Sequence, residues 1–370
     1  MRRDFLIKKI TFLLFLISFV SMAQHHENEQ AKHSTDKIEE ASSSLKSEIK
    51  KFINHHLLDS HGFGLFSYED ESGKKIHVGA PLPVILYDKE SGLNVFSSSK
   101  FNHGETVAEN NGNYFKLYHG KVYKTDAAGT ISYDEDKHAI NTKPFDFSIT
   151  KNVAFIFLVG LLMFLVFTKM AKNYKTNALP KGVGRLLEPI ILYVRDEIAI
   201  PNIGHKHYRR YMSYLLTVFF FVWIVNLLGL TPIGINVTNN IAVTLSLSLF
   251  TYFLTTFTAN KNYWKHIFWM PGVPTPMKFI LAPIELLGTI IKPFSLMIRL
   301  YANITAGHIV LMSIIGMMFI FKSWIGSPLS FGLAFALSLL ELLVAALQAY
   351  IFTMLSALYF GSAVEEHNEH

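Results

Sequence analysis

Ile298-Arg299-Leu300-Tyr301-Ala302-Asn303-Ile304-Thr305-Ala306-Gly307-His308 decides the class of this chain. It places a permanent cation, an amide and an imidazole inside an apolar run that extends from residue 279 to residue 321. An arginine at membrane depth costs at least ~2.5–3.5 kcal/mol on insertion scales, so it persists where it has a partner or a task. A fixed positive charge halfway across a bilayer suits an ion path that must not leak.

The rest of the chain supports a membrane reading. Half of its 370 residues are hydrophobic, and residues 211–260 contain no Lys, Arg, Asp, Glu or His. Apolar runs at 146–168, 211–230 and 241–259 match the ~20 residues needed to span a bilayer. The runs 279–321 and 329–361 exceed it. A helix of thirty-odd residues is ~50 Å long at 1.5 Å per residue, so these two must tilt steeply or lie partly along the membrane. Pro283, Gly288 and Pro293 can bend the first, and Gly326, Ser327 and Pro328 break between the two. The fold class is thus an all-α polytopic membrane protein that ends in a long, strongly tilted helical hairpin.

Residues 1–23 carry the marks of a cleaved signal peptide: a basic start, a short apolar core and a small-residue end at Ser21-Met22-Ala23. Residues 24–144 are polar and mixed and read as a small exported α+β domain. A helix is expected over 34–58. Short strands are expected at 76–78, 83–87, 93–97, 114–118 and 121–124, punctuated by Gly79, Gly92 and Gly120. Ten of the sixteen histidines fall in this region, including His25-His26 and His55-His56. Their spacing matches no standard ligand motif and the chain has no cysteine, so they read as solvated surface histidines. The membrane domain is assigned to 145–370, with an amphipathic segment, surface-lying or re-entrant, at 184–200.

Basic residues set the orientation. Nine lie between the first and second spans, none between the second and third, and three after the third. The positive-inside rule then puts the nine and the three in the cytoplasm, the extension in the periplasm and the C-terminus inside. The net charge of +6 reports these loops rather than nucleic acid.

The intramembrane polar residues are Glu285, Arg299, Asn303, His308, Glu341 and Gln348. On an ideal helix Arg299 and Asn303 share a face, and Glu285 lies near the same stripe ~21 Å away. Glu341 and Gln348 share a face two turns apart. His308 falls opposite Arg299 unless a π-bulge rotates one of them. A carboxylate and an imidazole can pass protons. Amides orient neighbours but do not titrate, and arginine stays protonated. That combination describes two proton paths separated by a positive gate. A permanent ion pair of Arg299 with Glu341 or Glu285 is the structural alternative. Lys292, nearer the inner end, reads as a snorkelling lysine.

At these residues the chain resembles subunit a of the F-type ATP synthase over roughly residues 145–370. The resemblance rests on Lys292-Pro293-Phe294-Ser295-Leu296 running into Arg299-Leu300-Tyr301-Ala302-Asn303, on Ala306-Gly307-His308, and on Ala346-Leu347-Gln348-Ala349-Tyr350-Ile351-Phe352. It implies a non-catalytic, proton-translocating stator in a bacterial inner membrane, without cofactor or metal. The implied partners are rotor c-ring subunits, peripheral-stalk b subunits, other ATP synthase subunits and membrane lipid, with no nucleic acid.

By the same resemblance Arg299 faces the rotor carboxylate, with Asn303 one turn on and Gln348 near it. His308 and Glu341 form the acid–imidazole pair of the outer half-channel, in the swapped order relative to some members. Glu285 belongs to the inner half-channel. Each rotor carboxylate is loaded from outside and unloaded inside, and Arg299 prevents a leak. The competing readings are a self-contained secondary transporter whose Arg299 binds an anionic substrate, and a scaffold whose buried charges only fix helix packing. A membrane hydrolase is disfavoured, because neither a nucleophile–base pair nor a metal motif appears, and the chain carries no phosphate-binding P-loop.

Overall fold

The computed structural model describes residues 59–365 apart from 70–74, 105, 135–137, 177–181, 232–234, 236, 271 and 321–325. The signal-peptide reading, the expected helix over 34–58 and both histidine pairs lie outside the described residues.

The described part of the extension is built from short antiparallel strands. They are β1 (Gly62–Glu69), β2 (Lys75–Pro81), β3 (Pro83–Asp88), β4 (Gly92–Ser97), β5 (Ala108–Asn110), β6 (Asn113–Tyr118), β7 (Lys121–Thr125) and β8 (Phe145–Asp146). They form three small sheets, β1-β2, β4-β3-β8 and β5-β6-β7. Two-residue turns set the register of the last sheet. Asn111-Gly112 and His119-Gly120 each hold both central residues at positive φ, the geometry that matches strand twist in a tight hairpin.

Val84, Leu86, Phe96, Phe101, Phe115 and Val122 form the small core. The alternation along β3 and β4 supplies it, because every second residue points inward. The strands β1, β5 and β8 add to the five expected ones. β1 and β5 pair with the next strands in the chain, β2 and β6, whereas β8 pairs with the distant β3, and Phe145–Asp146 is too short to carry a periodic signal. One histidine departs from the surface reading: His61 is buried and bonds Asp146 through Nε2 at 2.7 Å.

The membrane part is helical: α1 (Lys151–Thr176), α2 (Val183–Tyr193), α3 (Ile200–Ile203), α4 (Tyr208–Gly229), α5 (Ile241–Thr258), α6 (Lys261–Phe268), α7 (Thr275–Ile320) and α8 (Gly326–Val364). Five of these helices are long and apolar enough to cross a membrane. The first begins at Lys151 rather than 146 because β8 pairs with β3, and the backbone beyond it stays extended, with the Ile149 N–H donating to the Pro83 carbonyl.

The amphipathic segment is not a lipid-surface helix along its whole length. A π-helical turn, Val194–Ala199, joins α2 to α3. Val194, Ile198, Ala199 and Ile203 are buried in the main core. The π-turn packs on α4 and α8, so the apolar face of the segment meets protein there.

α7 and α8 pack along each other as the long hairpin, and α8 also packs on α4. At 46 residues α7 exceeds the ~30 Å hydrocarbon thickness at least twofold, so it cannot stand upright as one span. Lipid offers no hydrophobic drive between helices, and close approach of small residues takes its place. Ala345, Ala349, Ala357 and Ala363 are the buried residues of α8 that permit it. At its C-terminal end Tyr211 stacks on Phe360 with ring centroids 4.5 Å apart, and the Tyr211 hydroxyl donates to Thr258 at 2.7 Å. Asn260 secures the same end, its backbone N–H reaching the Ala363 carbonyl at 2.8 Å.

Candidate functional site

The site lies where α7 meets α8, with α5 behind. Residues 285, 289, 292, 296, 299 and 303 recur at three- and four-residue steps and so form one stripe along α7. Arg299 is half-buried toward the C-terminal end of that stripe. No carboxylate of the described residues forms an ion pair with it. The structural alternative, a permanent pair with Glu341 or Glu285, is therefore not what these residues build.

On one side of Arg299, Asn303 donates through Nδ2 to Gln348 Oε1 at 3.2 Å. Gln348 is 2% exposed, so this bond satisfies an amide that lipid and protein otherwise enclose. One turn further along α7 is Gly307. A Cβ there would stand 3.5 Å from Glu341 Oε1, at ordinary contact, so the carboxyl lies close to the α7 backbone at this turn. Glu341 and His308, on the turn that also carries Gly307, are both buried. Glu341 Oε2 has no hydrogen-bond partner among the described residues. A buried carboxyl oxygen left in that condition is costly and marks function more often than packing.

On the other side, Glu285 lies within electrostatic reach of Lys292 and of Tyr263. Lys292 Nζ sits 5.5 Å from the centroid of the Tyr359 ring, and Tyr359 is in turn within reach of the Arg299 charge. A cavity opens here, lined by Ser248, Thr251, Tyr252 and Thr255 of α5, Tyr263, Thr289, Lys292, Pro293, Leu296 and Tyr359. Glu285 thus belongs with Lys292 and not with the Glu341–His308 end.

Three features of this wall escape the sequence reading. Lys292 lines the cavity beside Tyr359, which snorkelling alone does not describe. Tyr359 lies in an apolar run and carries no periodic signal. The hydroxyl stripe of α5, Thr244, Ser248, Thr251 and Thr255, is buried throughout. That stripe was legible as a four- and three-residue repeat of hydroxyls. Ser246, Thr256 and Thr258 on the same helix obscure it. All four stripe hydroxyls return a hydrogen bond to their own helix, such as Thr255 to the Thr251 carbonyl at 2.7 Å.

Comparison with known proteins identifies the family. The model of the ATP synthase A chain matches residues 153–361, and a domain of unknown function (DUF8433) matches residues 52–147. Among curated relatives, ATP synthase subunit a 2 of Chlorobaculum tepidum is 44% identical over 235 residues, 61% of this chain and 66% of that protein. ATP synthase subunit a of Chloroherpeton thalassium is 41% identical over 61% of this chain and 69% of its own length. That of Myxococcus xanthus is 41% identical over 61% and 77%. With the five apolar helices and the α7–α8 site, these matches place the chain in the ATP synthase A chain family, the multi-pass, non-catalytic proton-channel subunit a of the Fo sector.

Proposed function

We propose that this chain forms two offset proton half-channels that load and unload a carboxylate on a rotor ring, with Arg299 as the positive gate between them. The observation that carries the reading is a half-buried arginine without a carboxylate partner among the described residues, flanked by two separate polar groups. Asn303, Gln348, Glu341 and His308 form the outer path. Glu285, with Lys292 and Tyr359 beside the cavity, forms the inner path.

Each element has a defined chemical task. His308 and Glu341 titrate and hand protons on, while the Asn303–Gln348 bond holds the helices that carry them. Arg299 favours the ionised form of a passing carboxylate, so the rotor acid releases its proton as it approaches the guanidinium. A proton then leaves by the Glu285 side. A full charge crossing is worth about 2.3 kcal/mol per 100 mV, and Arg299 prevents that energy from being lost to a direct leak.

The reading extends to partners, sidedness and domains. A c-ring must supply the acid and peripheral-stalk b subunits must hold the stator still. The loops rich in lysine and arginine support an extension in the periplasm and a C-terminus in the cytoplasm of a bacterial inner membrane. Residues 1–23 act as a signal peptide, 24–144 as the exported domain and 145–370 as the membrane domain. In support, the two family matches meet between residues 147 and 153.

Cysteine crosslinking tests the central claim. Single cysteines at Ser295, Ile298 or Ala302, which flank Arg299, should crosslink to the carboxylate-bearing helix of a small two-helix ring subunit. Crosslinks only within this chain would refute it. Substrate uptake by the purified chain in liposomes, without any ring, would favour a self-contained transporter instead.

A further inference from the structure

The exported domain reaches the outer half-channel through an unbroken series of contacts. It begins at Asp59, where the extension meets the helical part. Asp59 Oδ1 accepts the backbone N–H of Asn152 at 3.3 Å, in the first turn of α1. The neighbouring Ser60 carbonyl accepts the Lys151 N–H at 2.9 Å. Asp59 Oδ2 faces the Asn240 side-chain amide at 3.5 Å.

Asn240 is the N-cap of α5. Its Oδ1 accepts the Ala242 N–H at 3.0 Å, so the same side chain caps the helix and meets the extension. Next to it is the short 3₁₀ turn Val237–Asn239. Thr238 of that turn is fully buried and donates to Asn226 of α4 at 2.7 Å. Asn239 accepts a hydrogen bond from Thr305 of α7. Thr305 lies two residues from Asn303 and three from His308. The turn therefore ties the extension on one flank to the outer part of α7 on the other.

We propose that the exported domain is a strut that holds the 237–240 turn against α7 and so fixes the geometry of the outer half-channel, with Asp59 and Asn240 as its positioning residues. The inference rests on the reading of Asn303, His308 and Glu341 as the outer path. The physical case is one of reach. The turn is tied to the helices by few side-chain bonds, Thr238 to Asn226 and Thr305 to Asn239, whereas proton transfer needs donor and acceptor within hydrogen-bond distance. Anchoring the turn to a folded domain limits how far Thr305 and its helix can drift.

The test exchanges the two side chains within the assembled complex, in membrane vesicles whose inner and outer pH are set separately. Asn240→Asp keeps the cap oxygen but turns an amide–carboxylate contact into two facing carboxylates. Asp59→Asn combined with Asn240→Asp restores one amide and one carboxylate, and keeps an acceptor for Asn152. The readout is the outer proton concentration that gives half-maximal ATP synthesis at fixed inner pH, with complex assembly measured alongside. N240D should raise that concentration about three- to tenfold, and the exchanged pair should return it to the parent value. D59A carries the same expectation if N240D does not assemble.

Wild-type proton dependence in D59A and N240D, or failure of the exchanged pair to recover an altered N240D, would overturn the strut. His308→Ala separates the two readings. Lost synthesis in H308A together with unaltered D59A and N240D removes the strut and keeps the half-channel. Full synthesis in H308A removes the half-channel itself.

Discussion

Asn303 of α7 and Gln348 of α8 are joined by a single 3.2 Å hydrogen bond, one helical turn from Arg299. The bond fixes the register of the two long helices where the charge is presented. Replacing Asn303 by Leu would leave the buried Gln348 oxygen unpaired, at a cost of about 1–3 kcal/mol. The assembled complex should then melt at a lower temperature and pump protons more slowly. Replacing both residues by Leu removes both polar groups, so thermal stability should recover while pumping does not. Thermal unfolding and ATP-driven pumping of the three variants check this. Equal recovery of both properties in the double variant would remove the functional role of the pair.

Arg299 divides the site, and its charge rather than its volume is what the gate needs. In Arg299→Ala the complex should assemble normally, ATP-driven pumping should disappear, and passive proton permeability should rise. Lys in its place keeps a charge but loses the planar, always-protonated fork, so coupled pumping should remain severely reduced. Wild-type pumping by R299A in an assembled complex would leave the residue with a packing role only.

Two glycines of the long hairpin differ in how much side chain they tolerate. At Gly307 an added methyl meets Glu341 only at ordinary contact distance, so G307A should pump near the parent rate. Val at 307 would push the Glu341 carboxyl off the α7 backbone and should slow proton flow with assembly intact. At Gly361 an added methyl would overlap the backbone carbonyl of Asn202 in α3. Overpacking of this kind costs typically ~1–3 kcal/mol, so G361A should lower the amount of assembled complex. Immunodetection of the chain in membranes, beside pumping assays, separates the two outcomes.

In the extension, Lys124 Nζ bonds Asp88 Oδ2 at 2.7 Å and Glu90 Oε2 at 2.8 Å. The Lys124 hydrogen bond holds the buried Asp88 carboxyl below the usual carboxylate range, and the Asp88 bond holds the Lys124 ammonium above the usual lysine range. A depressed acid contributes stability above its unfolded pKa of ~3.9 and loses it as pH falls through the folded value. A raised lysine contributes below its unfolded pKa of ~10.4 and loses it as pH rises through the folded value. The pair thus stabilises the extension across the neutral range. Lys124→Met should lower protection of the β3 and β7 amides from hydrogen exchange at pH 7, and the two proteins should converge toward pH 3. Identical protection at pH 7 would deny the pair a stabilising role.

Much of the membrane topology is legible in composition. Apolar runs locate the spans because unpaired backbone groups cannot be left in hydrocarbon, so a long apolar run must be helical. The tilt of the last hairpin follows from length alone. The polar positions stand out because each interrupts an apolar run. Their pairing is less legible. The helical wheel places Arg299 with Asn303 and Glu341 with Gln348, but only the contact of α7 with α8 brings Asn303 to Gln348 and Gly307 to Glu341. Lys292 resembles a snorkelling lysine in sequence, and the cavity beside Tyr359 depends on three other helices.

The extension divides in the same way. β3 and β4 announce themselves by alternation, whereas β8 exists because β3 offers it an edge. His61 looks like one more polar histidine until the fold closes Asp146 over it. The sequence by itself determined the number of spans, the hairpin and the residues that carry charge, because those follow from local hydropathy, length and residue chemistry. Only the tertiary structure decided which polar groups meet, where the cavity opens and how Asp59 reaches Asn240, because such contacts join residues far apart in the chain and depend on how whole helices pack.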